Sequence, residues 1–266
     1  MPRPSLPHGK DAESPVKRGE VNLEIMVNWL VKWGFTTPSI LCDVLGVKRS
    51  SARRLMERLI NSKWAKLIES PGGGDGYIPM VRTKGEPLEV GVPLLLIPSE
   101  KARCIAQDSS HYEFPKALTS KSYAGVHHDL CAQRLSAMAI HQGYDEVLSP
   151  HMSRIAYPSR KIYDATWVIT SEDPEYSDSH YGVEIEFSRK DPNRDLNKIF
   201  EQIAFDVRGG EIQQCFYYFK SQDKLDLYKK YWAEWQKNAD QDELDGIEEN
   251  SILFALASFL EKTRFK

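Results

Sequence analysis

The sequence has no closely spaced cysteine pair, no long apolar run and no histidine cluster, and each absence removes a class of protein. Cys42, Cys104, Cys131 and Cys215 stand apart without a C-x-x-C. That pattern points to reduced thiols in a cytoplasm and argues against a structural zinc site. The longest apolar stretches, such as VPLLLI and ILFALASFL, fall far short of a bilayer span. The N-terminus lacks the apolar core of a signal peptide, so a cytoplasmic protein with no membrane partner is expected. None of the 7 histidines has metal-ligand spacing on one element, and the adjacent rings of His127 and His128 cannot share a helix face. What remains, 41% hydrophobic and 27% charged residues, is the composition of an ordinary soluble globular chain of 266 residues, enough for one large domain or two small ones.

The formal charge of −3 conceals an asymmetry. Residues 1–95 carry 14 Lys and Arg against 10 Asp and Glu, whereas residues 96–266 carry 21 against 28. A basic front and an acidic back predict two domains with different tasks. Residues 1–20, rich in proline and scattered charge, are expected to be a disordered tail. Residues 21–95 then read as three helices. The first, VNLEIMVNWLVKWGF, has apolar residues at helical spacing and Gly34 to end it; the second starts at the Thr37 cap with Pro38 at its first position and stops at Gly46. Ser50 or Ser51 is placed to cap the third, SARRLMERLINSKW, with Leu55, Leu59 and Ile60 facing inward. The β-prone segments AKLIES and YIPMVRT flank a glycine-rich loop and predict a hairpin.

Three helices with a tight turn before the third, followed by a hairpin, resemble a winged helix-turn-helix. Lys48, Arg49, Ser51, Arg53, Arg54 and Arg58 crowd the start and outer face of the third helix. As a recognition helix it would bring its N-terminal half to base edges while neighbouring cations hold phosphates. An exposed basic helix is the simpler alternative, since Lys and Arg ordinarily lie on surfaces.

Residues 86–124 show no clear period and read as a linker and entry segment. Beyond them, residues 96–266 alternate helical and strand-like patterns, from the helix GVHHDLCAQRLSAMAIHQG through the strands DEVLSP, IYDATWVIT and YGVEIEF to the helix DLNKIFEQIAFDV. The strand-like IQQCFYYF, the helix KLDLYKKYWAEWQK and an acidic loop NADQDELDGIEEN follow. The fold class expected is α/β (α+β), with a mixed central sheet in the back domain.

The most informative stretch is GVEIEFSRKDPNR, residues 182–194. In a strand, Val183, Ile185 and Phe187 point one way and Glu184 and Glu186 the other. Two like charges on one face are unfavourable unless that face is open to water or something cationic lies between them. A solvated strand face is the plainer reading. Asp164, however, lies on the preceding strand at a spacing suited to a hairpin, so that Asp164, Glu184 and Glu186 could converge. Three such carboxylates would hold a hard divalent cation, Mg²⁺ or Mn²⁺, able to polarise a phosphate and lower the pKa of a water. Lys190, or in second place Lys161, could stabilise charge on the phosphorane. Three anions gathered without metal would repel, so alanine at any one of them is expected to leave the metal-free protein as stable as before or more so.

An Asp on one hairpin strand and E-x-E on the next resemble the PD-(D/E)XK core of restriction endonucleases, with Tyr163 in place of the motif's proline and Glu186 at its lysine position. A winged helix followed by HHDLCAQ, YDA and VEIEFSRK with Arg194 is similar to the plasmid replication-relaxation group, which includes MobC-type relaxases of mobilizable plasmids. The resemblance spans about residues 21–220. It implies a restriction-endonuclease-like α/β/α domain and metal-dependent, strand-specific nicking of DNA at a plasmid origin of transfer. By the same resemblance Asp164, Glu184 and Glu186 hold metal, Lys190 serves the chemistry, Ser188 and Arg194 contact backbone phosphates or support the site, and His128 is a weaker supporting candidate. An accessory mobilization or coupling protein is a further partner that it implies. The commoner relaxase class uses a His-hydrophobic-His pair with a tyrosine nucleophile, and that pair is missing here. Tyr163 and Tyr181 are accordingly expected to pack. The rival expectation is a DNA-binding regulator of plasmid replication or transcription whose nuclease core has degenerated.

Overall fold

The computed structural model describes residues 15–68, 95–109, 123–157, 161–173, 177–187, 190–191 and 195–257. They divide into two compact units, one ending at Tyr144 and the other beginning at Asp145.

In the front unit, helix α1 (Pro15–Trp33) starts earlier than expected: residues 15–20 form its first turns, where a disordered tail had been anticipated to run to residue 20. Gly34 ends it in the left-handed region at φ 75°. Helix α2 (Pro38–Val44) is capped by Thr37, whose hydroxyl accepts from the Ile40 N–H at 3.3 Å, and Gly46 closes it at φ 64°. A 3₁₀ turn (Arg49–Ser51) leads into α3 (Ala52–Asn61). Ser51 sits at the cap position but its hydroxyl makes no capping bond, because the 3₁₀ turn has already placed it in helical backbone. Of the three residues expected inward, Leu59 is fully buried, while Leu55 and Ile60 are half-buried.

Strand β1 (Ala65–Ile68) pairs antiparallel with β2 (Leu95–Pro98). The segment YIPMVRT, anticipated as the other arm of the hairpin, lies outside the described residues. The observed partner comes from the stretch read as a linker. Leu96 also exchanges two 2.9 Å backbone hydrogen bonds with Thr36, so β2 lies between β1 and the α1–α2 connection. The same stretch yields helix α4 (Glu100–Ser109), entered through Ser99, whose hydroxyl accepts from the Ala102 N–H.

Helix α5 (Tyr123–Ile140) was expected to open the back domain, yet it belongs to the front unit. The buried Gln133 amide explains this, accepting from Trp29 Nε1 at 3.1 Å and donating to the Phe35 carbonyl at 2.9 Å. Arg134 reaches the Asp43 carboxylate, and His141 Nε2 lies 2.6 Å from the Asp43 carbonyl. The break therefore falls after Tyr144, later than the boundary between residues 95 and 96 read from the sequence.

The back unit runs β3 (Glu146–Leu148), α6 (Pro150–Ala156), β4 (Ala165–Ile169), β5 (Ser179–Glu186), α7 (Asn197–Arg208), β6 (Gln214–Phe219), α8 (Gln222–Asn238), α9 (Gln241–Leu244) and β7 (Ile252–Leu256). The five strands form one mixed sheet in chain order. β3, β4 and β5 are mutually antiparallel, and β5, β6 and β7 parallel. Crossovers through α7 and α8 make the parallel pairs possible. Cys215, Tyr217 and Phe219 on β6 pack against Phe200 and Ile203 of α7 and against Tyr228 and Trp232 of α8. Among the described residues no helix is long and apolar enough to cross a membrane.

Candidate metal and nucleic-acid sites

Asp164 immediately precedes β4 and is locked to β5 at both ends. Its N–H donates to the Val183 carbonyl at 2.9 Å, and its Oδ2 accepts from the Ile185 N–H at 2.7 Å. Since Ala165 pairs with Val183, Asp164 and Glu184 lie side by side across the antiparallel pair. The period of two puts Glu184 and Glu186 on the sheet face that carries Cys215, Tyr217 and Phe219, the face covered by α7 and α8. Glu184 is 6% exposed and Glu186 2%. A solvated strand face is therefore excluded.

Each buried carboxylate has its own cation. Lys161 Nζ is ion-paired with Glu184 Oε1 and lies 4.5 Å from the centre of the Tyr163 ring. Burial works against the Lys161 ammonium, but the charge and hydrogen bond of Glu184 outweigh it, aided by Asp164, and hold the amine above its usual pKa. For Glu184, burial is the main influence pushing the carboxyl up, and the attraction of Lys161 opposes it. Glu186 Oε2 pairs with Lys190 Nζ at 3.0 Å and accepts from the Tyr217 hydroxyl at 3.3 Å. The Lys190 backbone N–H donates to the Tyr228 oxygen at 3.2 Å, tying the residue to helix α8. Burial first, then the charges of Glu184 and Glu186, hold the Tyr217 hydroxyl protonated well above the ordinary tyrosine range.

Tyr163 supports this arrangement from below. Its hydroxyl donates to Asp206 Oδ2 at 2.6 Å, and the other oxygen of that buried carboxylate accepts from Gln202 at 2.9 Å. Gly182 makes room for the ring, since a Cβ there would lie 2.7 Å from it. Tyr163 thus packs, as expected, and ties Lys161 to helix α7.

The structure brings Asp164 and Glu184 together around Lys161, and it turns Glu186 toward Lys190 and Tyr217. Among the described residues no group of three or more His, Cys, Asp and Glu is gathered to hold a metal ion. The two glutamates of this face are paired with different lysines, Glu184 with Lys161 and Glu186 with Lys190. The Asp164–Glu184 pair still suits a hard cation. Mg²⁺ needs only one or two protein carboxylates when waters and a substrate phosphate complete its shell, and the Lys161 ammonium marks the position where positive charge is accommodated. His128 is half-buried on α5 in the front unit. Ser188 and Arg194 lie outside the described residues. Lys161 was ranked below Lys190 from sequence, and Tyr217 and Asp206 carried no sequence signal of a role.

In the front unit, Lys48, Arg49, Arg53 and Arg54 are exposed at the start and outer face of α3, and Ser51 is half-buried between them. Arg49 and Arg53 make surface ion pairs with Asp43 at 3.4 Å and Glu57 at 2.8 Å, and the Arg53 side chain remains 84% exposed. Such pairs are weak and yield readily to a phosphate. Arg58 differs: its guanidinium lies along α1, 3.1 Å from where a Cβ on Gly19 would stand, so it braces two helices.

No protein-family model matches the chain, and comparison with curated proteins and with solved structures finds no match.

Proposed function

We propose that the protein is a metal-dependent DNA endonuclease of the plasmid-mobilization relaxase type, nicking one strand at an origin of transfer. The observation that carries this reading is the half-buried Asp164 beside the buried Glu184, across an antiparallel pairing of backbone with a lysine ammonium against Glu184. Charge is costly to bury, and a surface strand needs no such arrangement. The order of β3, β4 and β5, with α7 crossing over to a parallel β6, supports a PD-(D/E)XK-like core. In the front unit, β2 between β1 and Thr36 supports a winged helix whose third helix is α3.

In this reading Asp164 and Glu184 would hold Mg²⁺ or Mn²⁺, with Glu186 as the further candidate ligand one pleat along the same face. When bound, the ion would polarise the scissile phosphate and acidify a water. Glu186 and Tyr217 hold the Lys190 ammonium in place, where it offsets negative charge building on the phosphorane. Lys48, Arg49, Ser51, Arg53 and Arg54 grip the DNA, which the acidic back half would otherwise repel. An accessory mobilization or coupling protein would complete the machinery at the origin.

A second reading, a DNA-binding plasmid regulator with a degenerate nuclease core, draws on the fact that both glutamates already have lysine partners and are neutralised without an ion. Supercoiled plasmid carrying the protein's own origin separates the two. Conversion to open circle that requires Mg²⁺ or Mn²⁺ supports the nuclease; a retarded plasmid that stays supercoiled supports the regulator.

A further inference from the structure

We propose that Lys161 is a positioning residue that acts as the resident counter-ion of the Asp164–Glu184 pair and must swing away when a divalent cation enters. The inference rests on the metal-dependent reading above. Lys161 is held from three sides: by the Glu184 carboxylate, by the electrostatic pull of Asp164, and by the face of the Tyr163 ring at 4.5 Å. Its side chain is 14% exposed. That environment is built, because Tyr163 is fixed by Asp206 and by the space left at Gly182.

A cation that binds between Asp164 and Glu184 competes directly with this ammonium, since one largely enclosed carboxylate pair cannot accommodate +1 and +2 at the same point without strong repulsion. Lys161 lies just outside β4 and has a flexible four-carbon stem, so it can leave without unfolding the sheet. The consequence is a site that stays ordered when empty, at the expense of affinity for the ion. Lys190 does not share this role, because its ammonium rests on Glu186 and Tyr217.

The test is Mg²⁺ and Mn²⁺ binding by calorimetry and thermal shift on the full chain, with no DNA present. Lys161→Gln keeps a hydrogen-bond donor for Glu184 and removes the charge; Lys161→Arg keeps the charge. Lys161→Gln should bind at least tenfold more tightly than wild type and gain a larger thermal shift on Mg²⁺ addition, whereas Lys161→Arg should bind no more tightly than wild type. Asp164→Asn should lose the ion in every background. If Lys161→Gln binds no more tightly than wild type while Asp164→Asn still abolishes binding, the metal site stands and the counter-ion role of Lys161 is overturned. If none of the four proteins binds either ion, the metal-dependent reading falls, and this inference with it.

Discussion

Glu184→Ala should destabilise the back unit, the reverse of what three mutually repelling carboxylates would predict. The mutation leaves the Lys161 ammonium, 14% exposed, without its partner. At an effective dielectric of about 20, a contact between unit charges is worth roughly 5 kcal/mol. Removing the buried glutamate also relieves its own desolvation, which offsets part of that. Measured losses on breaking one side of a buried pair, about 3–5 kcal/mol, bound the net effect. With a urea m-value of about 2 kcal/mol/M, a loss of roughly 3 kcal/mol lowers the unfolding midpoint by about 1.5 M. Circular dichroism against urea in metal-free buffer reads this directly. The double variant Glu184→Ala with Lys161→Met should recover most of the loss, because it removes the stranded charge as well. A Glu184→Ala protein with the wild-type midpoint would refute the claim that the lysine pair, and not relief of repulsion, governs the site's stability.

Alkaline pH offers a second perturbation. Tyr163, Tyr217 and Tyr228 are all held protonated above the ordinary tyrosine range, and Cys215 above that of a free thiol, in each case chiefly by burial. The folded state therefore keeps protons that the unfolded chain loses, so stability is complete below the unfolded pKa values, about 8.5 for Cys and 10 for Tyr, and falls above them by up to about 1.4 kcal/mol per pH unit per group. Urea midpoints between pH 8 and pH 11, with tyrosinate absorbance followed alongside, check this; titration of all 12 tyrosines near pH 10 with no loss of stability would contradict it. Replacing Arg53 and Arg54 by Ala should weaken DNA binding by about 1–3 kcal/mol for each that reads a base, and flatten its salt dependence. An unchanged gel shift would place the DNA surface elsewhere. Gly182→Ala drives a methyl to 2.7 Å from the Tyr163 ring and should cost about 1–3 kcal/mol in thermal or urea unfolding. A neutral result would mean that the ring is not held by Asp206.

Much of the architecture was legible because its signals are local. Thr37 before Pro38, and glycines 34, 46, 143 and 210 at left-handed positions, mark helix ends through backbone chemistry that any sequence displays. Helices α7 and α8 followed from their periodicity. Strand β2 was not legible: Leu95–Pro98 is too short to show alternation, and its partners, β1 and Thr36, are remote in sequence. The local signals of α6 and α9 are Ser149 before Pro150 and the Asp240–Glu243 capping box inside the acidic loop. Strand β7 lies within the apolar run ILFALASFL, which has no polar alternation to mark a strand.

The site divides the same way. Alternation assigned Glu184 and Glu186 to one face, but only the crossover helices reveal that this face is covered. Lys190 lies four residues beyond Glu186 and was within reach of sequence reasoning. Lys161 meets Glu184 through the strand register, across 23 residues, and register is a tertiary fact. Tyr217 enters from a parallel strand that sequence could not order.

The central claim is that Asp164 and Glu184 serve phosphodiester cleavage and are not required for holding DNA. The most direct measurement compares wild type with Asp164→Asn on supercoiled plasmid carrying the origin, with gel retardation run on the same samples. Asn preserves the carbonyl that accepts the Ile185 N–H and removes only the charge. The account predicts Mg²⁺-dependent open circle from wild type, none from Asp164→Asn, and equal retardation by both. Equal nicking by the two proteins, or wild-type binding that leaves the plasmid supercoiled at every Mg²⁺ and Mn²⁺ concentration, would contradict it.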